Sequence, residues 1–318
     1  MMLKQIVFLS FFLYVQSASV IDVIFTVKNL STNDRLKINF ITMITSLFQH
    51  TSTQNLHLHV IGDIDSHHFV EQTLSTLQYN QQIDKLNIDD LTTTFQHLIS
   101  PLIHHFSSSH TYYKDPLFFL SPFLHRILSE NISRVIMLDI DLRFDDDIQH
   151  LYKLFDQFNQ SQIIGIAREN QPVYRHLLWS YRQENPHTQI GNPPPDGTTG
   201  FNSGVLLLDL SKIRQSVLFN GYLENSSLIQ HLIHRYHFHH PHLGDQDFYT
   251  LLSFEHRDLF FILPCYWNRQ LCTWWKGKGY DDVWETYFNC NNDQKISLYH
   301  GNCNTPIPEQ RILEKLEL

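Results

Sequence analysis

Four short apolar runs limit what this chain can become: IDVIFTV at 21–27, LHLHVI at 56–61, RVIML at 134–138 and FNSGVLLLDL at 201–210. Each is rich in β-branched residues or leucine and too short for a core helix, so each reads as a buried strand. Between the first two, Leu36, Phe40, Met43, Ile44 and Leu47 recur at helical spacing, which predicts a helix over about 33–50. Strand alternating with helix is the pattern of a parallel, Rossmann-like α/β sheet. Residues 66–100 are polar and read as helical pieces. Residues 116–130 read as a buried helix that Pro122 must start or kink. The Pro-, Gly-, Asn- and Thr-rich stretch 185–200 is a loop. With no internal repeat and no shift in composition, residues 20–318 read as one α/β domain, long enough to bury a substantial core.

Composition excludes some roles. Apolar residues are 42% of the chain and charged residues 17%, a globular balance. The formal net charge of -9 argues against a nucleic-acid partner. A phosphate-bearing ligand would therefore need a cation or backbone N–H groups. With 21 histidines, no single His is informative alone. At the N-terminus Lys4 precedes an apolar stretch, 6–15, broken only by Ser10, and Ser17, Ala18 and Ser19 follow. That order over residues 1–19 is a signal peptide's, and the run falls short of the roughly 20 residues that cross a bilayer. An uncleaved signal anchor is the alternative, and it is the one route to a membrane. Cys265, Cys272, Cys290 and Cys303 read as two disulfides of an oxidising compartment, with three possible connectivities. A zinc site is the competing reading, but no C-x2-C pair supports it. Sequons at Asn29, Asn131, Asn159 and Asn225 fit a secretory chain. The final Lys315, Leu316, Glu317 and Leu318 are close to a K-D-E-L retrieval signal, with Leu316 where an acid is usual. A frayed helix end is the alternative. These features place the protein in the secretory pathway, in the endoplasmic reticulum lumen or membrane or in the Golgi.

Chemistry enters where RVIML runs into Asp139, Ile140 and Asp141. On a regular strand the two acids would share a face, with Ile140 opposite. Adjacent carboxylates repel unless a cation lies between them, and a divalent ion with oxygen ligands can also hold a diphosphate. The C-terminal ends of α/β strands are where ligands bind. A lone D-x-D also arises by chance as solvated acids, so this motif does not decide the matter by itself. Asp145, Asp146 and Asp147 read as a solvated turn or helix start.

RVIMLDIDL, GFNSGVLLLDL at 200–210, HLGDQDFY at 242–249 and YHGN at 299–302 stand in that order along the chain. Together they resemble glycosyltransferase family 8, whose members are retaining enzymes of the GT-A fold that use UDP-sugars with manganese. LPCYWNRQLCTWW at 263–275 and HGNCNTPIPE at 300–309 resemble its xyloside α-1,3-xylosyltransferase branch. That branch extends the xylosyl-glucose glycan on EGF-like repeats such as those of Notch, with UDP-xylose as donor. The resemblance covers essentially everything after the leader. It implies Asp139, Asp141 and His300 as ligands of Mn2+, or of Mg2+. It puts Thr26, Val27 and Lys28 at the uridine, Asn202 and Ser203 at the donor sugar, and Ile140 and Leu243 at further donor contacts. Gln246 matches the residue beneath the anomeric carbon, and Asp245 one that binds donor hydroxyls. Acceptor contacts fall on His176, Leu177, Leu178, Trp179, Gln246, Trp275 and Asn302, with Trp274 a further aromatic candidate. The pairings it implies are Cys265 with Cys290 and Cys272 with Cys303.

One departure stands out. Many members follow the histidine as H-x-x-G-x-K-P-W, with a lysine on the diphosphate; here Gly301, Asn302, Cys303 and Asn304 follow His300. Asn302 or Lys28 would help the diphosphate, or the metal would suffice. The departure favours the xyloside branch. Gln246 is an amide and a poor nucleophile, so the implied course is same-face substitution, with Asp245 the fallback nucleophile. Competing expectations are a family 8 transferase using UDP-glucose or UDP-galactose, and a catalytically silent glycan-binding protein of the endoplasmic reticulum.

Overall fold

The computed structural model describes residues 20–53, 55–107, 114–241, 243–290 and 294–308. The leader and the terminal tetrapeptide singled out above lie outside the described residues. No helix among the described residues is long and apolar enough to cross a membrane.

A seven-stranded sheet is built from β1 (Ile21–Val27), β2 (Leu56–Gly62), β3 (Gln82–Asn87), β4 (Arg134–Leu138), β6 (Ile164–Arg168), β7 (Phe201–Asp209) and β8 (Phe260–Leu263). Its order is β3-β2-β1-β4-β7-β6-β8. The first four strands are parallel, as the alternating pattern predicts. β7 runs antiparallel to both β4 and β6, so the sheet is mixed. Both faces are covered. Val23, Phe25, Leu58, Val60, Ile136 and Leu138 pack on one side with Phe40, Met43, Ile44 and Leu47 of helix Asp34–His50. Ile24, Ile61, Val135, Met137, Leu206 and Leu208 face the other side. Burial on both faces explains why these strands read as continuous apolar runs. Asn33 starts the helix by accepting a hydrogen bond from the Leu36 N–H at 3.2 Å.

A smaller sheet, β5 (Leu142–Phe144), β10 (Leu298–His300) and β9 (Arg269–Gln270), carries the C-terminal segment back to the end of β4. β10 pairs antiparallel with β5, His300 opposite Leu142.

Three expectations change. Residues 116–130 do not form one helix: Pro116 begins one 3-10 turn, Pro122 is the second residue of another (Ser121–Phe123), and only Leu124–Ile127 is α-helical. Within the polar stretch 66–100, QIDKLN forms edge strand β3; its poor burial left no alternation to read. Asp139 and Asp141 lie just past the end of β4 in a bend, so it is the return of the small sheet and not strand alternation that brings them together. Asp147 caps helix Ile148–Tyr152 as expected, accepting from the Gln149 N–H at 2.9 Å.

Candidate active site

Backbone contacts bring the end of β4 to the end of β10. The Asp139 N–H donates to the Gly204 carbonyl at 2.9 Å, and the Gly301 N–H donates to the Asp141 carbonyl at 2.8 Å. The first contact continues the antiparallel β4–β7 ladder by one rung beyond Leu138 and Val205, while on its other side β7 slips its register against β6: Ile166 faces Leu206, but Ala167 faces Asn202. Residues 203–205 are thereby released from β6. His300 Nε2 lies 3.3 Å from Asp141 Oδ1 and 3.6 Å from Asp139 Oδ2. A Cβ on Gly204 would run into the His300 ring, so glycine there makes the approach possible.

Hydrogen bonds decide which nitrogen of His300 is free. Asn202 Oδ1 accepts from the Gly204 N–H at 3.2 Å and from Asn268 Nδ2 at 2.9 Å, while Asn202 Nδ2 donates to Glu169 Oε2 at 3.4 Å. That leaves Asn268 Oδ1 facing His300 Nδ1 at 2.9 Å. An amide oxygen only accepts, so Nδ1 carries a proton, and Nε2 is the nitrogen that faces the two carboxylates and is left for a cation or a second proton. Two carboxylates and a correctly protonated imidazole, with donor atoms within 4.8 Å of one another, fit a divalent cation.

The electrostatics agree. Surrounding protein atoms, and then the charge of Asp141, push the Asp139 carboxyl up to about 6. Its side chain is nevertheless 47% exposed, which describes an acid within a concavity open on one side. Burial would raise Asp141 too, but His300 beside it holds it below the usual range. Burial works against a charge on His300, yet Asp141 and then Asp139 raise its proton affinity. A proton therefore competes with a cation for Nε2.

Gln246 and Asp245 open helix Asp245–Glu255 beside this centre. Gln246 Oε1 accepts from the Ser203 N–H at 3.3 Å, and its Nε2 donates to the Tyr174 hydroxyl at 3.3 Å. Tyr174 in turn donates to Asp247 Oδ1 at 2.9 Å. The amide is held at both ends. Asp245 Oδ1 accepts from Ser203 Oγ at 3.1 Å, and its Oδ2 accepts from Ser121 Oγ. Burial pushes the Asp245 carboxyl up to about 7.

The profile of glycosyl transferase family 8 matches residues 30–300. The chain belongs to glycosyltransferase family 8. It is 52% identical over 220 residues to xyloside xylosyltransferase 1 of Mus musculus, and equally to that of Homo sapiens. Each alignment covers 69% of this chain and 55% of the relative, so the chain spans about half the length of the curated relatives it matches. The crystal structure of mouse xyloside xylosyltransferase 1 in its apo form superposes with a TM-score of 0.86 at 41% identity, covering 91% of this chain and 100% of that one. The galactosyltransferase LgtC superposes at a TM-score of 0.54 and 17% identity, covering 88% of this chain and 86% of that one, a likeness of fold alone. The mixed α/β sheet is thus the GT-A fold that the resemblance implies.

Of the residues singled out in this family member's sequence, contacts join Asn202, Ser203, Asp245 and Gln246 to the centre at Asp139, Asp141 and His300. Thr26 and Val27 end β1, with Val27 buried and Thr26 partly open. Lys28 is paired with Asp115 at 2.5 Å. Ile140 packs on one core face and Leu243 on the other. His176 and Trp275 meet with ring centroids 4.7 Å apart, and Tyr280 completes the cluster, 2.8 Å from His176 Nδ1. Leu177 and Leu178 are buried in the core, whereas Trp179 and Trp274 are exposed. Asn302 Oδ1 accepts from the Leu271 and Cys272 N–H groups, which fixes the turn after β9.

The sequence reading passed over Glu169 and Asn268. Glu169 stands one residue, Arg168, beyond the apolar run 163–167, much as Asp139 follows VIML, and that parallel was the available signal. It is 3% exposed, its Oε1 has no hydrogen-bond partner, and burial pushes its carboxyl from 4.5 up to about 7. A raised folded-state value means that stability is full below about pH 4.5 and is lost as pH rises through about 7. Glu169→Gln should remove that loss, leaving a variant more stable than the parent above pH 7 by on the order of 3 kcal/mol, with little difference at low pH. Urea unfolding across the range measures it; parallel pH profiles for the two proteins would contradict it.

Both disulfides are formed with the implied pairing, Cys265–Cys290 and Cys272–Cys303. Cys303 lies three residues beyond His300, so the second bridge ties the chain that delivers the histidine. It closes a loop of sequence separation 31. Replacing Cys272 and Cys303 by serine should cost roughly 3–4 kcal/mol and raise the divalent-cation concentration needed for activity. A cation titration identical to the parent's would contradict the second expectation.

Proposed function

We propose that this family member is a retaining xylosyltransferase of the secretory pathway. It transfers xylose from UDP-xylose, with Mn2+, in α-1,3 linkage to the xylosyl-glucose glycan of EGF-like repeats. The observation that carries the reading is the convergence of Asp139, Asp141 and the Nε2 of His300 beside Gln246, in a chain 52% identical to proteins named xyloside xylosyltransferase 1. An imidazole with two carboxylates suits Mn2+, with Mg2+ the substitute. A cation held there would neutralise charge on the departing UDP as a Lewis acid.

The chain's own groups favour same-face substitution. Asp245 is neutral below about pH 7, and serine hydroxyls hold both its oxygens, so it is a poor nucleophile. Gln246, tethered by Ser203 and Tyr174, orients the reactants and supports positive charge developing at the anomeric carbon. The acceptor hydroxyl oxygen bonds to that carbon, the bond from the carbon to the phosphate oxygen breaks, and the hydroxyl proton ends on the released phosphate. His176, Trp275 and Tyr280 offer aromatic surface for the acceptor sugar. Incubation with UDP-xylose and an EGF-like repeat bearing xylosyl-glucose should add one pentose, α-1,3-linked by NMR. A β-linked product, or no transfer to this acceptor, would overturn the proposal.

A further inference from the structure

A second group of metal-ligating side chains lies at the other end of the sheet. Among the described residues two such groups hold three donor atoms within 4.8 Å of one another: the one at Asp139, and one made by Asp22, His57 and His59. Asp22 is the second residue of β1, four residues before Thr26, or about 13 Å along the strand. Asp22 pairs in register with His57 of β2, and His59 with Asp84 of β3. Strand alternation therefore puts all four side chains on one face of three adjacent strands.

The distances are those of a ligand set. Asp22 Oδ1 lies 3.2 Å from His57 Nδ1 and 2.9 Å from His59 Nε2. Ligands about 2.0–2.1 Å from a tetrahedral zinc ion stand roughly 3.3 Å from one another. Asp84 Oδ2 lies behind both rings, 2.9 Å from His57 Nε2 and 3.3 Å from His59 Nδ1. A carboxylate behind a ligating imidazole fixes its tautomer and raises its basicity. One further fact points to a missing cation. Asp22 and Asp84 have no Lys or Arg ion-pair partner among the described residues, and the side chains that face both acids are the two imidazoles.

We infer that Asp22 Oδ1, His57 Nδ1 and His59 Nε2 form a second divalent-metal site of zinc type, with Asp84 as the carboxylate behind both histidines. Two imidazoles with one carboxylate select zinc over magnesium or calcium, which prefer all-oxygen shells. The site joins β1 to β2, and through Asp84 it tethers β3, the thinly covered edge strand. Its role is to hold the sheet edge. A metal that binds only the folded state stabilises it by RT ln(1 + L/Kd), with L the free metal concentration, so the unfolding temperature rises with that concentration.

The experiment uses the full chain carrying Asp139→Asn and Asp141→Asn, which disables the first centre and leaves this cluster intact. After dialysis against zinc and then zinc-free buffer, it should retain one zinc per chain and unfold at a higher temperature than the metal-stripped protein. Adding Asp22→Asn and His57→Gln should abolish both effects, and Asp84→Asn alone should weaken zinc binding by about 10–100-fold. In the otherwise unaltered enzyme, Asp22→Asn with His57→Gln should leave manganese-supported transfer unchanged. Failure of the first protein to retain zinc would overturn the inference without touching the cluster. So would a stoichiometry well above one that ignores Asp22→Asn and Asp84→Asn, since that is adventitious binding by other histidines.

Discussion

Asp139→Asn and Asp141→Asn should each abolish transfer while leaving the protein folded. Each removes one of the two charges that answer a divalent cation opposite His300. A bound cation contributes several kcal/mol of charge stabilisation in the transition state, so the rate should fall by roughly 10³-fold or more. The fold should survive because Asp139 is itself a strained acid, pushed up to about 6 by its surroundings and by Asp141. Neutralising it relieves repulsion, so in metal-free buffer the Asp139→Asn protein should unfold at or above the parent's temperature. It should also lose the parent's stabilisation by manganese at the first centre. Normal turnover of both variants in EDTA-treated buffer would contradict this account of the site.

Gln246→Ala tests the course of the reaction. If the amide only orients reactants and supports developing charge, its loss should lower the rate by about 10²–10³-fold. Affinity for UDP should change little, because Asp139, Asp141 and His300 are untouched. The product should stay α-linked, since the departing phosphate still guides attack on its own face. The substitution also leaves the Ser203 N–H without its acceptor and the Tyr174 hydroxyl without its donor, so some local loosening is expected. A sugar adduct on Asp245 or Gln246 in mass spectra, or a β-linked product, would reject same-face substitution.

How much of this was legible depended on burial. β1, β4 and β7 announced themselves because both faces of each are covered, which makes their sequences nearly uniform in apolar character. β3 did not, because an exposed edge strand needs no apolar pattern. The prolines of 116–130 were visible, but their effect on three successive turns depends on packing. Asp139 and Asp141 could be picked out from their place after VIML, whereas His300 was one of 21 histidines and became meaningful only through the order of motifs around it. Why His300 fits a cation could not be read at all. That rests on Asn268, Asn202 and Glu169, three polar residues from separate parts of the chain that meet only after β6, β7 and the turn before β9 are in place. The Asp22, His57, His59 and Asp84 cluster was equally hidden, since its members sit on three strands and meet only through register.

The central claim is a cation-dependent transfer of xylose from UDP-xylose at Asp139, Asp141 and His300. It is tested most directly by UDP release over a panel of UDP-sugars with the xylosyl-glucose acceptor, in Mn2+ and in EDTA. The account predicts turnover with UDP-xylose in Mn2+, little with UDP-glucose or UDP-galactose, and none in EDTA. Preference for a hexose donor, or turnover that persists in EDTA, would contradict it.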